Sequence, residues 1–258
     1  MDIVIIDSGI GGMCLLPYFF KFLPFKKYLY FADVKNLPYG LKSTKHLFNI
    51  TINNVKKIIK KYKPKIIVFG CNTIGTTIFD SVKKFFPNQT FFSIKPNINS
   101  NFLSKEKTLI LATSRTINSI KKNNLSNNNI ILCKMPKLAN KVENNLQNLN
   151  NIVPYLKQRL SKYKNIKRIV LGCTHYYFVK KQIQTLFKNT KIDDGIESLT
   201  NQILYFLKDK NLKLKSKHKT KVKLFVSKKT HQKRIYKSII KKFIKNQKEK
   251  QYNGRNSN

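Results

Sequence analysis

Cys71 and Cys173 stand in two copies of one stretch, and their spacing sets the chemistry open to the chain. Residues 65–73 read KIIVFGCNT and residues 167–175 read KRIVLGCTH: an apolar, β-branched run, a glycine, a cysteine and two small or polar hydrogen-bonding residues. A thiol titrates at about pH 8.5, and cationic neighbours or helix amides lower that value toward neutrality, where proton transfer is efficient. Repeating the thiol calls for a reaction that uses one on each side of a substrate. Asp7 lies in a glycine-rich turn, DSGIGG at residues 7–12, and His175 follows Cys173 by two residues. Asp7 can accept a hydrogen bond from a substrate ammonium or orient a neighbouring thiol, and it can equally cap the helix that follows.

The elements that must position these groups follow from the same pattern. A run of Ile, Val, Leu or Phe between Lys and Gly is a strand buried on both faces of a parallel sheet. Gly70 and Gly172 are expected to let the backbone turn sharply where each cysteine emerges. Ligands of open α/β sheets sit beyond the carboxyl ends of the strands, so both thiols should point at ligand. IVIIDSGIGG at 3–12 and TLILATSRTI at 108–117 open two half-chains alike. Thr113 lies 106 residues after Asp7, and Cys173 lies 102 after Cys71. The reading is therefore α/β, with two pseudosymmetric doubly wound domains, mainly parallel sheets and the site in the cleft between them. Residues 1–95 with 208–258 make the first domain and residues 96–207 the second.

Further strands are expected at 28–32, 90–94, 130–133, 191–193 and 222–226. Helices are expected at 13–22, 43–62, 74–86, 154–163, 176–187, 197–207 and 231–244, with a crossing at 95–100. The glycine-rich turn matches neither a dinucleotide fingerprint nor a phosphate loop, which leaves a small anion such as a carboxylate for its amides. The Pro-Tyr-Gly turn at 38–40 is turn chemistry, and beside a cleft its amides and the Tyr39 hydroxyl become carboxylate donors.

Composition narrows the class. A chain of 258 residues holds two cores of roughly 100 residues each. Asp2 argues against the basic start of a signal peptide, and the apolar run 13–25 is interrupted by Pro17, Lys21 and Pro24 and too short to span a bilayer. Four cysteines without metal-pair spacing are expected to stay reduced, in a cytoplasm. Cys133, with no polar pair after it, reads as core. Fifty-two Lys and Arg against eleven Asp and Glu give +41, which points on its face to nucleic acid. The excess of Lys, Asn, Ile, Phe and Tyr everywhere, including the insertion-like 121–129 and 144–151, fits A/T-biased coding better. Only the basic tail at 208–250 keeps nucleic acid open as a partner.

IDSGIGG (6–12), ADVKNLPYG (32–40), GCNT (70–73), the 136–143 stretch and GCTHY (172–176) together resemble the motif set of the bacterial glutamate racemases, in that family's order and nearly end to end. The resemblance implies a cofactor-independent amino-acid racemase, an isomerase supplying D-glutamate for peptidoglycan, hence for cell wall and cell shape. It implies glutamate as the small-molecule partner, a homodimer or monomer, and no metal. Racemisation takes the α-proton from one face and returns one to the other. The resemblance assigns those roles to Cys71 and Cys173, with Asp7 assisting Cys71, His175 assisting Cys173, and Glu143 near the latter. It assigns substrate binding to Asp7, Ser8, Tyr39, Gly40, Asn72, Thr73, Thr174 and His175, and more loosely to Thr113 and Thr116.

Other readings explain less. Acyl transfer by Cys173 with His175 as base leaves Cys71 unused. A metal site from Cys71, Cys173 and His175 lacks a fourth ligand. An aspartate racemase keeps the mechanism and changes the substrate, and a decayed, basic nucleic-acid-binding protein drops the chemistry. The chain departs from the family's pattern at Ile74-Gly75, at Asp194-Gly195 and at Arg115, which sets a bulky cation between Thr113 and Thr116.

Overall fold

In the computed structural model, which describes residues 1–23, 25, 27–98, 106–122, 129–210, 220–228 and 230–253, each copy of the cysteine stretch is an inner strand of its own parallel sheet. The strands are β1 (Ile3–Asp7), β2 (Lys27–Ala32), β3 (Ile66–Phe69), β4 (Thr90–Ser93), β5 (Thr108–Ala112), β6 (Ile130–Lys134), β7 (Arg168–Gly172), β8 (Lys191–Asp193) and β9 (Lys221–Val226). The first sheet has the order β4-β3-β1-β2-β9 and the second β6-β5-β7-β8, and every pairing is parallel. In both, the chain runs from its first strand to a neighbour on one side, then returns to the other side. The strand order therefore reverses between β1 and β3, and again between β5 and β7. At such a reversal the loops diverge and leave a crevice at the carboxyl ends.

Burial on both faces makes these strands near-continuous apolar runs. Along β1, Ile3 and Ile5 enter one core with Tyr28, Tyr30 and Val68, while Val4 and Ile6 enter the core on the opposite face with Leu29, Phe31, Ile67 and Phe69. That is the two-residue period of a strand, and each such side chain taken from water contributes about 1.5–3 kcal/mol. The helices are α1 (Leu16–Phe22), α2 (Thr44–Tyr62), α3 (Asn72–Thr77), α4 (Phe79–Phe85), α5 (Ser114–Lys122), α6 (Leu138–Asn144), α7 (Val153–Leu160), α8 (Lys180–Leu186), α9 (Ile196–Asp209) and α10 (Gln232–Asn253). Ser43 caps α2 by accepting from the His46 amide at 3.2 Å, worth about 1 kcal/mol. Leu47, Val55 and Ile58 of α2 then close over the first sheet.

Several expectations need correcting. The helix expected over 74–86 breaks at Ile78, where Thr76 and Thr77 turn their hydroxyls back onto the Asn72 and Thr73 carbonyls at 2.9 and 2.6 Å, a competition that bends helices. The helix expected over 176–187 starts as a 3₁₀ turn, Thr174–Val179, and becomes α-helical only at Lys180. The final helix runs past 244 to Asn253. The helix expected at 197–207 lies against the first sheet, with Phe206 edge-on to Phe92 of β4 at 5.5 Å. Residues 99–100 of the crossing, 123–128 of the insertion-like run and 211–219 of the basic tail lie outside the described residues.

Gly70 and Gly172 take no left-handed conformation: among the described glycines only Gly195 has a positive φ. Their missing side chains serve close approach. A Cβ on Gly70 would stand 2.9 Å from the Gly12 backbone, and one on Gly172 would stand 2.7 Å from Ala112 Cβ.

Candidate active site

The two strand reversals face each other. Asp7 ends β1 and Cys71 follows β3 in the first sheet; Thr113 follows β5 and Cys173 follows β7 in the second. Contacts across the gap tie the tips together. The Thr174 hydroxyl donates to Asp7 Oδ2 at 3.3 Å, the Ile10 amide donates to Glu143 Oε1 at 2.7 Å, and Thr73 Oγ1 lies 3.2 and 3.4 Å from the hydroxyls of Thr113 and Thr116. Glycines permit this approach. A Cβ on Gly9 would fall on the Glu143 carboxylate, one on Gly11 would lie 2.5 Å from His175 Nδ1, and one on Gly40 would lie 2.7 Å from Thr113 Cβ.

On the first face, Cys71 is 8% exposed and precedes α3. Burial raises its thiol pKa far above the ordinary value, and the Asp7 charge adds to this, while the Ile74 and Thr73 amides pull the other way. Asp7 itself is fully buried. Its Oδ1 accepts the Gly9 amide at 2.8 Å, and burial lifts its pKa against the opposing pull of His175 and that amide. Asp7 thus reaches across the gap to Thr174 and acts on Cys71 through its field. Beside it, Asn72 is buried and neither its Oδ1 nor its Nδ2 has a protein partner, a pairing that buried amides rarely forgo.

On the second face, the side chains form a chain of hydrogen bonds. Cys173 Sγ lies 3.8 Å from His175 Nδ1, and His175 Nε2 lies 2.8 Å from Glu143 Oε1. The Tyr236 hydroxyl donates to Glu143 Oε2 at 2.6 Å. Burial alone would raise the Glu143 pKa, but hydrogen bonds from His175, Tyr236 and the Ile10 amide hold it below the usual carboxylate range. Burial alone would lower that of His175, but its bonds to Cys173 and Glu143 carry it well above the usual imidazole range. Each partner thus favours the charged form of the other, the carboxylate drawn below and the imidazole above its ordinary value. Among the described residues, no group of three or more His, Cys, Asp or Glu could hold a metal ion.

No protein-family model matches the chain. A curated glutamate racemase from Clostridium acetobutylicum is 32% identical over 208 residues, 77% of this chain and 81% of that protein. The chain belongs to the glutamate racemase family. Glutamate racemase 2 of Bacillus subtilis is likewise 32% identical, covering 82% of this chain and 83% of its own. Among solved structures, a glutamate racemase isoform of Bacillus anthracis superposes with a TM-score of 0.78 at 21% identity, over 94% of this chain and 93% of that one. The Francisella tularensis glutamate racemase in complex with D-glutamate gives 0.76 at 23%, over 95% and 93%. These two share its fold.

In this family member, the tips of the two sheets gather Asp7, Ser8, Asn72, Thr73, Thr113, Thr116, Glu143, Thr174 and His175 as buried polar side chains beside two buried thiols. The Tyr39 hydroxyl is the exception among the residues read from sequence. It donates its one proton to Asp33 Oδ2 at 2.7 Å, where the Asn36 and Asn54 amides also converge at 2.9 Å. Arg115 does not intrude between its threonines, because Nη1 reaches out to Thr44 Oγ1 at 3.0 Å. Asp193 and Asp194 accept the Gly195 and Ile196 amides, at 2.9 and 3.2 Å, and shape the start of α9. Cys133 is core, packed near Met135. A cavity of about 840 Å³, lined by Tyr18, Asn97, Asp194 and Tyr205 among others, contains neither thiol. Tyr236 was invisible in the sequence, where a lone tyrosine in a lysine-rich helix carries no signal.

Proposed function

We propose that this chain interconverts L- and D-glutamate without a cofactor, with Cys71 and Cys173 as the two acid/base thiols on opposite faces of Cα. One observation carries the reading: two buried thiols follow equivalent inner strands of two sheets whose reversals face each other. The thiolate on one face takes the α-proton, and the thiol on the other delivers one to the opposite face; exchanging roles runs the reverse reaction. Cys71 rests protonated in this buried setting, so a substrate ammonium drawn to Asp7 would supply the positive charge that favours its thiolate. The His175–Glu143 pair would handle charge at Cys173. Asn72, Ser8, Thr174, the Thr73, Thr113 and Thr116 hydroxyls and the amides at 39–40 would hold the substrate's carboxylates.

As for organisation, we read residues 1–95 with the C-terminal segment as one unit and the chain from 96 as the other; the packing of α9 on β4 argues for ending the second unit before that helix. The product would enter peptidoglycan, and we place the protein in the cytoplasm, as a monomer or homodimer. Among the described residues, no helix is long and apolar enough to cross a membrane.

The test is circular dichroism of L- and of D-glutamate in deuterated buffer without pyridoxal phosphate. Loss of optical activity from both, with deuterium entering Cα, is expected, and either Cys71→Ala or Cys173→Ala should abolish it. Activity with aspartate alone would change the substrate; racemisation surviving either substitution would overturn the two-thiol mechanism.

A further inference from the structure

We propose that Tyr236 is a positioning residue of the Cys173 face, which makes the C-terminal helix α10 part of the acid/base machinery. This rests on the two-thiol reading above. Glu143 has two oxygens with separate work: Oε1 takes both His175 Nε2 and the Ile10 amide, at 2.8 and 2.7 Å, and Oε2 takes the Tyr236 hydroxyl at 2.6 Å. With both oxygens held, the carboxylate cannot rotate, and Oε1 fixes the imidazole so that Nδ1 faces Cys173 Sγ at 3.8 Å. Tyr236 is fully buried. Its hydroxyl is a short, charge-assisted donor, the stronger class of hydrogen bond.

The helix grips the same residue twice. Gln232, one turn earlier on the same face, donates Nε2 to the Glu143 backbone carbonyl at 3.3 Å. Glu143 follows the second sheet's strand β6, whereas α10 follows β9, which pairs with β2 of the first sheet. The group that orients the second thiol's helper is thus supplied by the other half of the molecule. Tyr30, on that half, holds the neighbouring Gly9 carbonyl at 2.8 Å and keeps the Ile10 amide aimed at Glu143.

Tyr236→Phe keeps the ring and removes only the hydroxyl. Racemisation should fall by on the order of ten- to a hundredfold, the usual loss for a hydrogen bond to a charged group. The diagnostic readout is the isotope effect on kcat/KM with glutamate deuterated at Cα. Slowing only the Cys173 step should enlarge the effect from the enantiomer whose proton Cys173 takes and shrink it toward unity from the other. An equal loss with unchanged isotope effects, or no loss, would overturn the proposal. In a Glu143→Gln background, Tyr236→Phe should cost much less than in the unaltered protein, and an undiminished cost would sink it. Should Tyr236→Phe fail to fold, 3-fluorotyrosine at 236 retains ring and hydroxyl while making the phenol more acidic. It should shift the pH profile of kcat/KM, and an unchanged profile counts against the proposal. Racemisation that survives Cys173→Ala alone, with Tyr236 and Glu143 intact, would instead remove the two-thiol reading itself.

Discussion

The two thiols end equivalent strands of equivalent sheets, yet their surroundings differ in kind. Cys71 has a buried carboxylate, Asp7, that burial drives toward its neutral form, and the opening amides of a short helix. Cys173 has an imidazole, a carboxylate driven toward its charged form, and a tyrosine, joined in one line of hydrogen bonds. A duplicated framework therefore presents one sulfur beside a carboxylate held by an amide and a hydroxyl, and the other beside an imidazole–carboxylate–tyrosine relay. The lesson is that fold symmetry fixes where the reacting atoms stand, whereas proton handling is set by whichever side chains the loops bring up. A symmetric reaction with an equilibrium constant of one does not need symmetric machinery.

The sharpest way to break this comparison is to remove each sulfur. Cys71→Ser and Cys173→Ser should each lower racemisation by at least about 10²–10⁴, the range for a positioned acid or base, measured as loss of optical rotation. A residual rate that differs strongly between them would mean that one face can borrow a proton from water.

Next in size is the relay. Glu143→Gln should reduce racemisation by roughly ten- to a hundredfold and also destabilise the fold, because His175 is left buried without its counter-charge. Thermal melts across pH test the sign. The folded-state pKa of Glu143 is depressed, so its stabilisation is present above the ordinary carboxylate value of 4.5 and is lost as pH falls through the folded value. That of His175 is raised, so its stabilisation is complete below 6.5 and is lost only as pH climbs through its folded value. The gap between the unaltered protein and Glu143→Gln should therefore be widest at mildly acidic to neutral pH and close in acid.

Asp7→Asn separates the two faces most cleanly. The Asp7 pKa is raised in the folded state, so its ionised form burdens the fold at every pH above that value, and the burden disappears as pH falls toward 3.8. An asparagine can still accept from the Gly9 amide. Asp7→Asn should therefore raise Tm at neutral pH while lowering activity, the reverse of Glu143→Gln on stability. A lower Tm would mean that its bond to Thr174 outweighs its burial. The smallest effect belongs to Arg115→Ala: its Nη1 bonds the exposed Thr44 hydroxyl while its buried Nε has no partner, so stability should move by no more than about 1 kcal/mol and activity hardly at all.

Much of this was legible in the amino-acid order. Apolar runs bounded by Lys and Gly located the inner strands β1, β3, β5 and β7 to within a residue or two, because a strand buried on both faces has no polar position to blur its ends. Repetition of such a run with a cysteine after it identified both thiols, and Asp7 and His175 lie near enough in sequence to be read with them. Local competition was harder to see: the break at Ile78 depends on threonine hydroxyls turning back onto the helix, and the glycines at 70 and 172 make room for Gly12 and Ala112, 58 and 60 residues earlier in the chain. The bond from the Tyr39 hydroxyl to Asp33 was likewise not read, although only six residues separate the two, because Asp33 becomes a shared acceptor only once Asn54 of α2 packs against it.

The sequence by itself determined the two half-chains, the parallel sheets and the repeated thiol, because periodicity and turn chemistry act over a few residues. Tertiary structure alone decided that Glu143 joins His175, that Ile10 and Thr174 bridge the two tips, and that Tyr236 reaches in from the last helix. Those contacts join residues 32, 133, 167 and 93 positions apart, and no local propensity encodes a partner at that distance. They arise because the parallel sheets place their strand ends together and bury what lies there, where a polar group left without a partner is expensive.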